Sequence, residues 1–242
     1  MKAGIFTPTI EKIADLGIQQ TRHFKLVFPP NTEFDFEAGQ FVNLMIPETA
    51  EHKALKRPYS IASPPLWKGS LDLCWKRVNG GIATNYLWTL AQGNPLQIQG
   101  PLGRFTLKQP LPKTILFIST GTGIAPFRSM IHTLLENAKS TNCEIWNIFG
   151  NRYEEDILYR EEFEKLAQTH KNFRNVFTVS RPKSPAWKGE TQYVQFMLKK
   201  YIADPRDKHI YICGLTNMIN EVQKTAFEMG FAKDQVFFEK YD

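Results

Sequence analysis

A chain of 242 residues, 42% of them hydrophobic, is long enough for two ordinary domains, and none of its apolar runs is long enough to cross a bilayer. Residues 1–10 lack the basic start, apolar stretch and small-residue cleavage site of a secretory leader, so the default expectation is a cytoplasmic protein without stable membrane insertion. The formal charge of +6 favours an acidic partner or an anionic ligand, while three dispersed cysteines (Cys74, Cys143, Cys213), five histidines without ligand spacing and scattered basic residues argue against a metal centre and nucleic acid.

Taken in chain order, the first half reads as short strands between turns: His23 to Phe28, Gln40 to Ile46, Arg57 to Ala62, Ser70 to Val78 and Pro95 to Gly100. In Ser70 to Lys76, Leu71, Leu73 and Trp75 alternate with Asp72, Cys74 and Lys76, which predicts one face in a core and a largely polar face opposite. Such spacing suits a small antiparallel barrel. Gln109-Pro110-Leu111-Pro112 reads as a linker, which divides the chain into residues 1–110 and 111–242.

Beyond the linker the pattern becomes apolar strand followed by helix-period segment: Thr114 to Ser119 then Ile124 to Asn137, and Glu144 to Phe149 then Arg160 to His170. Further strands are predicted at Phe173 to Ser180, His209 to Cys213 and Gln235 to Glu239, with helices near Thr191 to Tyr201 and Met218 to Met229. Alternation of this kind predicts a parallel sheet covered by helices. Between the first of these strands and its helix lies Ser119-Thr120-Gly121-Thr122-Gly123-Ile124-Ala125-Pro126. Its glycines allow a tight turn and close backbone approach to a pyrophosphate, although a purely structural turn uses them equally well. Pro126 fits the first turn of a helix, where its missing N–H costs little.

The run Thr120-Gly121-Thr122-Gly123-Ile124-Ala125-Pro126-Phe127-Arg128-Ser129 resembles the nicotinamide-nucleotide loop of ferredoxin–NADP reductases. Arg57-Pro58-Tyr59-Ser60, Leu73-Cys74-Trp75-Lys76-Arg77, Gly100-Pro101-Leu102-Gly103, Cys213-Gly214-Leu215 and Glu239-Lys240-Tyr241 resemble that family's other blocks in the family's order, and Leu158 to Phe163 has a plant-type flavour. The resemblance runs from about Phe24 to Tyr241. It implies an antiparallel Greek-key β-barrel that binds FAD, followed by a parallel-sheet α/β domain that binds NADP(H).

Residue by residue, the resemblance implies that Arg57 pairs with the FAD pyrophosphate, Tyr59 packs against the isoalloxazine, and Ser60 lies near the flavin N5. Forked guanidinium bonds suit phosphate oxygens, and a tyrosine ring offers apolar area with a polar tip. Pro58 and Lys76 belong to the same flavin-binding blocks. Gly81, Ile82, Ala83 and Thr84 match the second FAD segment at a helix start, where Thr84 also reads as an N-cap. The stretch from Arg77 to Gly81 is shorter than in plant-type relatives, so the adenine's seat, and with it a bent or an extended FAD, stays open.

At the hydride-transfer end, Cys213 matches a cysteine beside the nicotinamide, with Gly214 and Leu215 following it, and Tyr241 matches a terminal aromatic that covers the flavin. Glu239 is expected to assist proton delivery or nicotinamide placement, and Asp242 extends one residue beyond the family's usual terminal tyrosine. Ser180 and Arg181 match the contacts to the 2′-phosphate of NADP, and Tyr193 matches the residue stacked on its adenine. A family lysine is replaced by Thr191, for which Lys183 or Lys188 is a candidate substitute. The implied activity is hydride transfer between NADP(H) and FAD, with electrons passed singly to a separate ferredoxin or flavodoxin. The alternatives are a free-flavin or ferric-chelate reductase, the reductase component of an oxygenase, and a noncatalytic dinucleotide sensor.

Overall fold

The computed structural model describes residues 3–50, 52–137 and 142–241, and its residues cluster into two compact units. The first comprises Met1–Leu107 together with Ala125–Thr133, the second Lys108–Ile124 together with Leu134–Asp242.

In the first unit, β1 (Gly4–Phe6), β7 (Ile98–Leu102), β4 (Phe41–Ile46) and β5 (Leu55–Ser60) form one antiparallel sheet in the order β1-β7-β4-β5. A second antiparallel sheet has the order β2-β3-β6, from β2 (Thr9–Leu16), β3 (Thr21–Val27) and β6 (Ser70–Lys76). Bridges Ile61↔Leu73 and Thr9↔Pro95 join the two sheets at both seams, closing the strands into the ring β2-β3-β6-β5-β4-β7. Strands β4, β5 and β6 follow one another around this ring and β7 returns beside β4, which is a Greek key. Alternation builds the interior: Val42, Leu44 and Ile46 of β4 meet Phe24, Leu26, Leu71, Leu73 and Trp75. One helix, α1 (Ile82–Thr89), follows β6 and adds Ala83 and Leu87 to this core.

Two features here go beyond the sequence expectations. The largely polar second face of β6 is exposed at Lys76, but Asp72 and Cys74 on it are only 5% and 4% accessible. Asp72 tolerates burial because its carboxylate accepts a hydrogen bond from Arg128 Nη1 at 2.9 Å and lies 3.6 Å from His23 Nε2. Burial alone would raise its pKa, but His23 and Arg128 overcome that and hold it below the usual carboxylate value. Secondly, β1 and β2 were not anticipated. In β2 a bulge between Ile10 and Lys12 shifts the register, so buried Ile10 and half-buried Ile13 stand three apart and break the period of two that marks a strand.

The second unit holds a five-stranded parallel sheet of order β10-β9-β8-β11-β12, built from β8 (Thr114–Thr120), β9 (Glu144–Asn151), β10 (Phe173–Val179), β11 (Lys208–Gly214) and β12 (Val236–Lys240). Nearly every residue of β8 is buried, as a strand hydrogen-bonded on both sides and covered on both faces requires. Helices α4 (Val194–Tyr201) and α5 (Thr216–Glu228) pack Met197, Leu198, Ile219 and Val222 against Leu116, Ile118, Ile210 and Ile212. The remaining helices are α2 (Ile124–Glu136), whose Ala125–Thr133 segment clusters with the first unit, and α3 (Arg160–Thr169), which packs beside β10. After β8 the chain moves to one side through β9 and β10, then returns to place β11 on the other. The carboxyl ends of β8 and β11 therefore form a topological switch point. No helix among the described residues is long and apolar enough to cross a membrane.

Candidate active site

In the first unit, the β4–β5 pairing sets Tyr59 opposite Val42 and Ser60 opposite Phe41. Arg57 and Tyr59, two residues apart, share one face, and Pro58 lies on the other. β5 ends its sheet's order, where a residue without an N–H is tolerated. Tyr59 packs against the barrel core, and burial pushes its phenol up to about 12 with the Arg57 charge working the other way. Arg57 is exposed and donates from Nη1 to its neighbour's carbonyl, Lys56 O, at 2.9 Å, while Ser60 is buried. Lys76, at the exposed end of β6, donates from Nζ to Gln19 Oε1.

Gly81 is the N-cap of α1, which places Ile82, Ala83 and Thr84 in the first turn. Thr84 is thus not the cap that the sequence suggests. Its hydroxyl reaches back instead, accepting from Val78 N at 3.1 Å and lying 3.3 Å from Val78 O and Gly81 O, so it fastens the turn to the helix. No acidic residue stands in that turn, and a Cβ added at Gly80 would meet nothing within 4 Å. First-turn amides without intrahelical acceptors, open space and no competing carboxylate fit a pyrophosphate.

In the second unit, Thr120 ends β8, Gly121–Gly123 makes a single 3-10 turn, and α2 begins at Ile124 with Pro126 in its first turn. Gly121 has φ +54° with nothing within 4 Å of an added Cβ, again leaving room for a phosphate. Gly123 is the opposite case, because its added Cβ would lie 2.3 Å from Cys213 O. Gly214, at φ +150°, is similarly crowded, 2.7 Å from Thr120 Oγ1 on the same construction. The Gly121–Gly123 turn and the end of β11 are therefore in close backbone contact at the switch point, with Thr122 half-buried between the two glycines.

Strand register lines up one row on a single face of the sheet: Phe177, Phe149, Ser119, Cys213 and Glu239. Cys213 is fully buried, and its thiol is raised well above the usual value, first by burial and then by the Glu239 carboxylate; a hydrogen bond with the Tyr241 phenol acts against the rise. Tyr241 N also donates to Gly214 O at 3.0 Å. Cys213, Gly214, Glu239 and Tyr241 are thus gathered at one point, with Leu215 next to them 65% exposed. Ser119, fully buried with no hydrogen-bond partner for its hydroxyl, joins the row and was not singled out from sequence. Asp242 lies outside the described residues.

At the other side of the sheet, Ser180 N and Arg181 N donate to Asn151 O at 3.0 Å and Arg152 O at 2.9 Å, which fixes both residues at the carboxyl end of β10. The Arg181 side chain is exposed, and Tyr193, the N-cap of α4, is 63% exposed. Lys183 has its ammonium 4.3 Å from the Tyr153 ring and 3.9 Å from a Glu155 oxygen, whereas Lys188 is exposed.

Residues 10–107 match the family described as oxidoreductase FAD-binding domain, and residues 117–224 match the oxidoreductase NAD-binding domain. Ferredoxin–NADP reductase B of Sorangium cellulosum is 40% identical over 217 residues, covering 86% of this chain and 86% of that protein. A chloroplastic ferredoxin–NADP reductase of Mesembryanthemum crystallinum is 34% identical over 222 residues, covering 80% of this chain and 60% of its own length. Among solved structures, the Amycolatopsis cytochrome P450 reductase GcoB superposes with a TM-score of 0.85 at 28% identity, over 98% of this chain and 70% of that one. Each half of the chain thus carries the cofactor match that its own geometry suits, and the chain belongs to the ferredoxin–NADP reductase family, as an oxidoreductase that binds FAD and a nicotinamide dinucleotide.

Proposed function

We propose that this enzyme transfers hydride between NADP(H) and FAD, and exchanges single electrons with a separate ferredoxin- or flavodoxin-type protein. Bound FAD supplies the conversion between a two-electron donor and a one-electron acceptor. Residues 1–110 hold the flavin: the Arg57 guanidinium and the amides of Gly81 to Thr84 bind the pyrophosphate, Tyr59 offers its ring to the isoalloxazine, and Pro58 and Lys76 complete the pocket. The Ser60 hydroxyl donates or accepts as the flavin nitrogen beside it changes protonation.

Residues 111–242 hold the nucleotide. Thr120 to Gly123 and Pro126 receive its pyrophosphate at the start of α2, Ser180 and Arg181 take the 2′-phosphate, and Tyr193 stacks on the adenine. Cys213, Gly214 and Leu215 receive the nicotinamide, Glu239 orients it, and Tyr241 yields its place when it enters. The observation that carries this reading is the gathering of Cys213, Glu239 and Tyr241 at the switch point of the sheet. A buried thiol kept protonated is an uncharged, close-fitting neighbour for a ring that gains and loses positive charge.

Anaerobic stopped-flow spectra of the purified protein test the proposal. NADPH should bleach bound flavin faster than NADH does, and ferredoxin or flavodoxin should then reoxidise it in one-electron steps; flavin that stays oxidised, or is not retained on gel filtration, would sink it. The likeness to a cytochrome P450 reductase favours a second reading, the reductase component of an oxygenase. A P450-type acceptor in the same assay decides between them.

A further inference from the structure

The loop that follows β10 carries Arg181, and it is held by a residue far from it in sequence. Glu154, in the 3-10 turn Glu154–Asp156 after β9, accepts hydrogen bonds from Lys183 N at 3.0 Å to each of its oxygens and from Ser184 N at 2.7 Å. Two successive amides aimed at one carboxylate form an anion nest, here filled by the protein's own side chain. Those bonds also hold the Glu154 carboxyl below its usual pKa, so it stays ionised at neutral pH.

Acidic groups beside a proposed phosphate site ordinarily repel the ligand, so their presence calls for another purpose. The neighbouring Glu155 carboxylate lies 3.9 Å from Lys183 Nζ, and the charge of Glu154 is directed into the loop backbone. The segment Ser180–Ser184 is therefore pinned at both ends: Ser180 and Arg181 to the carbonyls of Asn151 and Arg152, and Lys183 and Ser184 to Glu154. Arg181 belongs to the first of these fastenings and is separated from the second by Pro182 alone, with its own side chain exposed.

We propose that Glu154 is a positioning residue for nucleotide choice: its carboxylate fixes the backbone on which Arg181 is presented, and so sets discrimination between NADP and NAD. This inference rests on the reading of Arg181 as a 2′-phosphate ligand. A guanidinium reads a phosphate through directional, forked bonds, whose value depends on a fixed backbone. Glu154 itself touches no part of the nucleotide in this scheme.

The test uses the flavin-loaded enzyme and binding rather than turnover. Glu154→Ala, Glu154→Gln, Arg181→Ala and the Glu154→Ala/Arg181→Ala pair are titrated with NADP+ and NAD+ by flavin difference spectra, and amide hydrogen exchange is followed over residues 180–184. Glu154→Ala should speed exchange there and weaken NADP+ roughly tenfold, the worth of about one charge-assisted hydrogen bond, while NAD+ changes less than about twofold. Glu154→Gln, which keeps one acceptor oxygen, should recover part of both effects. In the double variant, removing Glu154 should cost no further NADP+ affinity. If Arg181→Ala weakens both nucleotides equally, the reading of Arg181 fails and takes the inference with it. If Arg181→Ala is selective for NADP+ while Glu154→Ala leaves either exchange or NADP+ affinity unchanged, the inference alone is overturned.

Discussion

Replacing Gly123 by Ala isolates the close approach between the Gly121–Gly123 turn and β11. Gly123 has φ −61° and ψ −9°, a conformation open to any residue. Where nothing obstructs the new methyl group, such a change stabilises a protein by about 0.4–1 kcal/mol, through the unfolded chain. Here the Cβ would fall 2.3 Å from Cys213 O, 2.7 Å from Cys213 C and 3.0 Å from Gly214 N. An ordinary carbon–oxygen contact is about 3.3 Å, so the backbones must separate by roughly 1 Å. β11 cannot easily yield, because it is paired to β8 on one side and β12 on the other; the Gly121–Gly123 turn must move. Overpacking of this size costs about 1–3 kcal/mol, opposite in sign to the unobstructed case. On the proposed function, displacing the turn should also weaken about one charge-assisted hydrogen bond to the nucleotide pyrophosphate, or roughly 10-fold to 100-fold in affinity. Urea unfolding and NADP+ titration of the flavin-loaded variant measure the two effects. A variant as stable as the parent, or more so, with unchanged NADP+ affinity would refute the steric argument.

Asp72→Asn removes the buried carboxylate that pairs with Arg128 Nη1 at 2.9 Å and should destabilise the protein by about 3–5 kcal/mol in urea unfolding. Because the folded-state pKa of Asp72 is lowered from 3.8, its stabilisation is complete above that value and lost as pH falls through the folded-state pKa; the gap between parent and variant should close only in acid, and a gap still at full size well below the folded-state pKa would contradict the pairing. Cys213 is raised well above its usual value and Cys143 to about 11, both by burial, so iodoacetamide at pH 8 should label them only as the protein unfolds; rapid labelling of either in native protein would refute their enclosure. Arg181→Ala should weaken NADP+ by about 10-fold to 100-fold and NAD+ by less than about twofold, and equal losses would count against 2′-phosphate recognition. Deleting Tyr241 and Asp242 should tighten nicotinamide-nucleotide binding and disturb turnover; unchanged binding and kinetics would remove Tyr241 from the path of the ring.

The parts of this molecule legible in its sequence are those whose physics is local. The strand–loop–helix from Thr114 to Glu136 could be read because a buried parallel strand is uniformly apolar and its glycine turn is contiguous. The β4–β5 pairing and the meeting of Cys213 with Glu239 are set by strand order and register, which join segments apart in the chain. Other features depend on partners distant in the chain. The burial of Asp72 is not legible in its own strand because Arg128, which neutralises it, lies 56 positions on. Glu154 gave no signal, since its partners are backbone amides 29 and 30 positions away, and any residue supplies an amide. Thr84 was read as a cap because a hydroxyl at the third position of a helix has the same local composition as one at its start; the glycine that takes the cap has no side chain to announce it.

The Ala125–Thr133 segment of α2 has a bearing on how the protein is made. As the ribosome extends the chain, the barrel strands have all been translated by Leu102, yet the unit they belong to still lacks the nine-residue stretch that supplies Arg128. Until then Asp72 has His23 but not Arg128 beside it, and closing the barrel would bury the carboxylate without that guanidinium. Vectorial synthesis therefore delays completion of the amino-terminal unit until the first strand and helix of the next have been translated, and a fragment truncated at Leu107 inherits that incompleteness permanently.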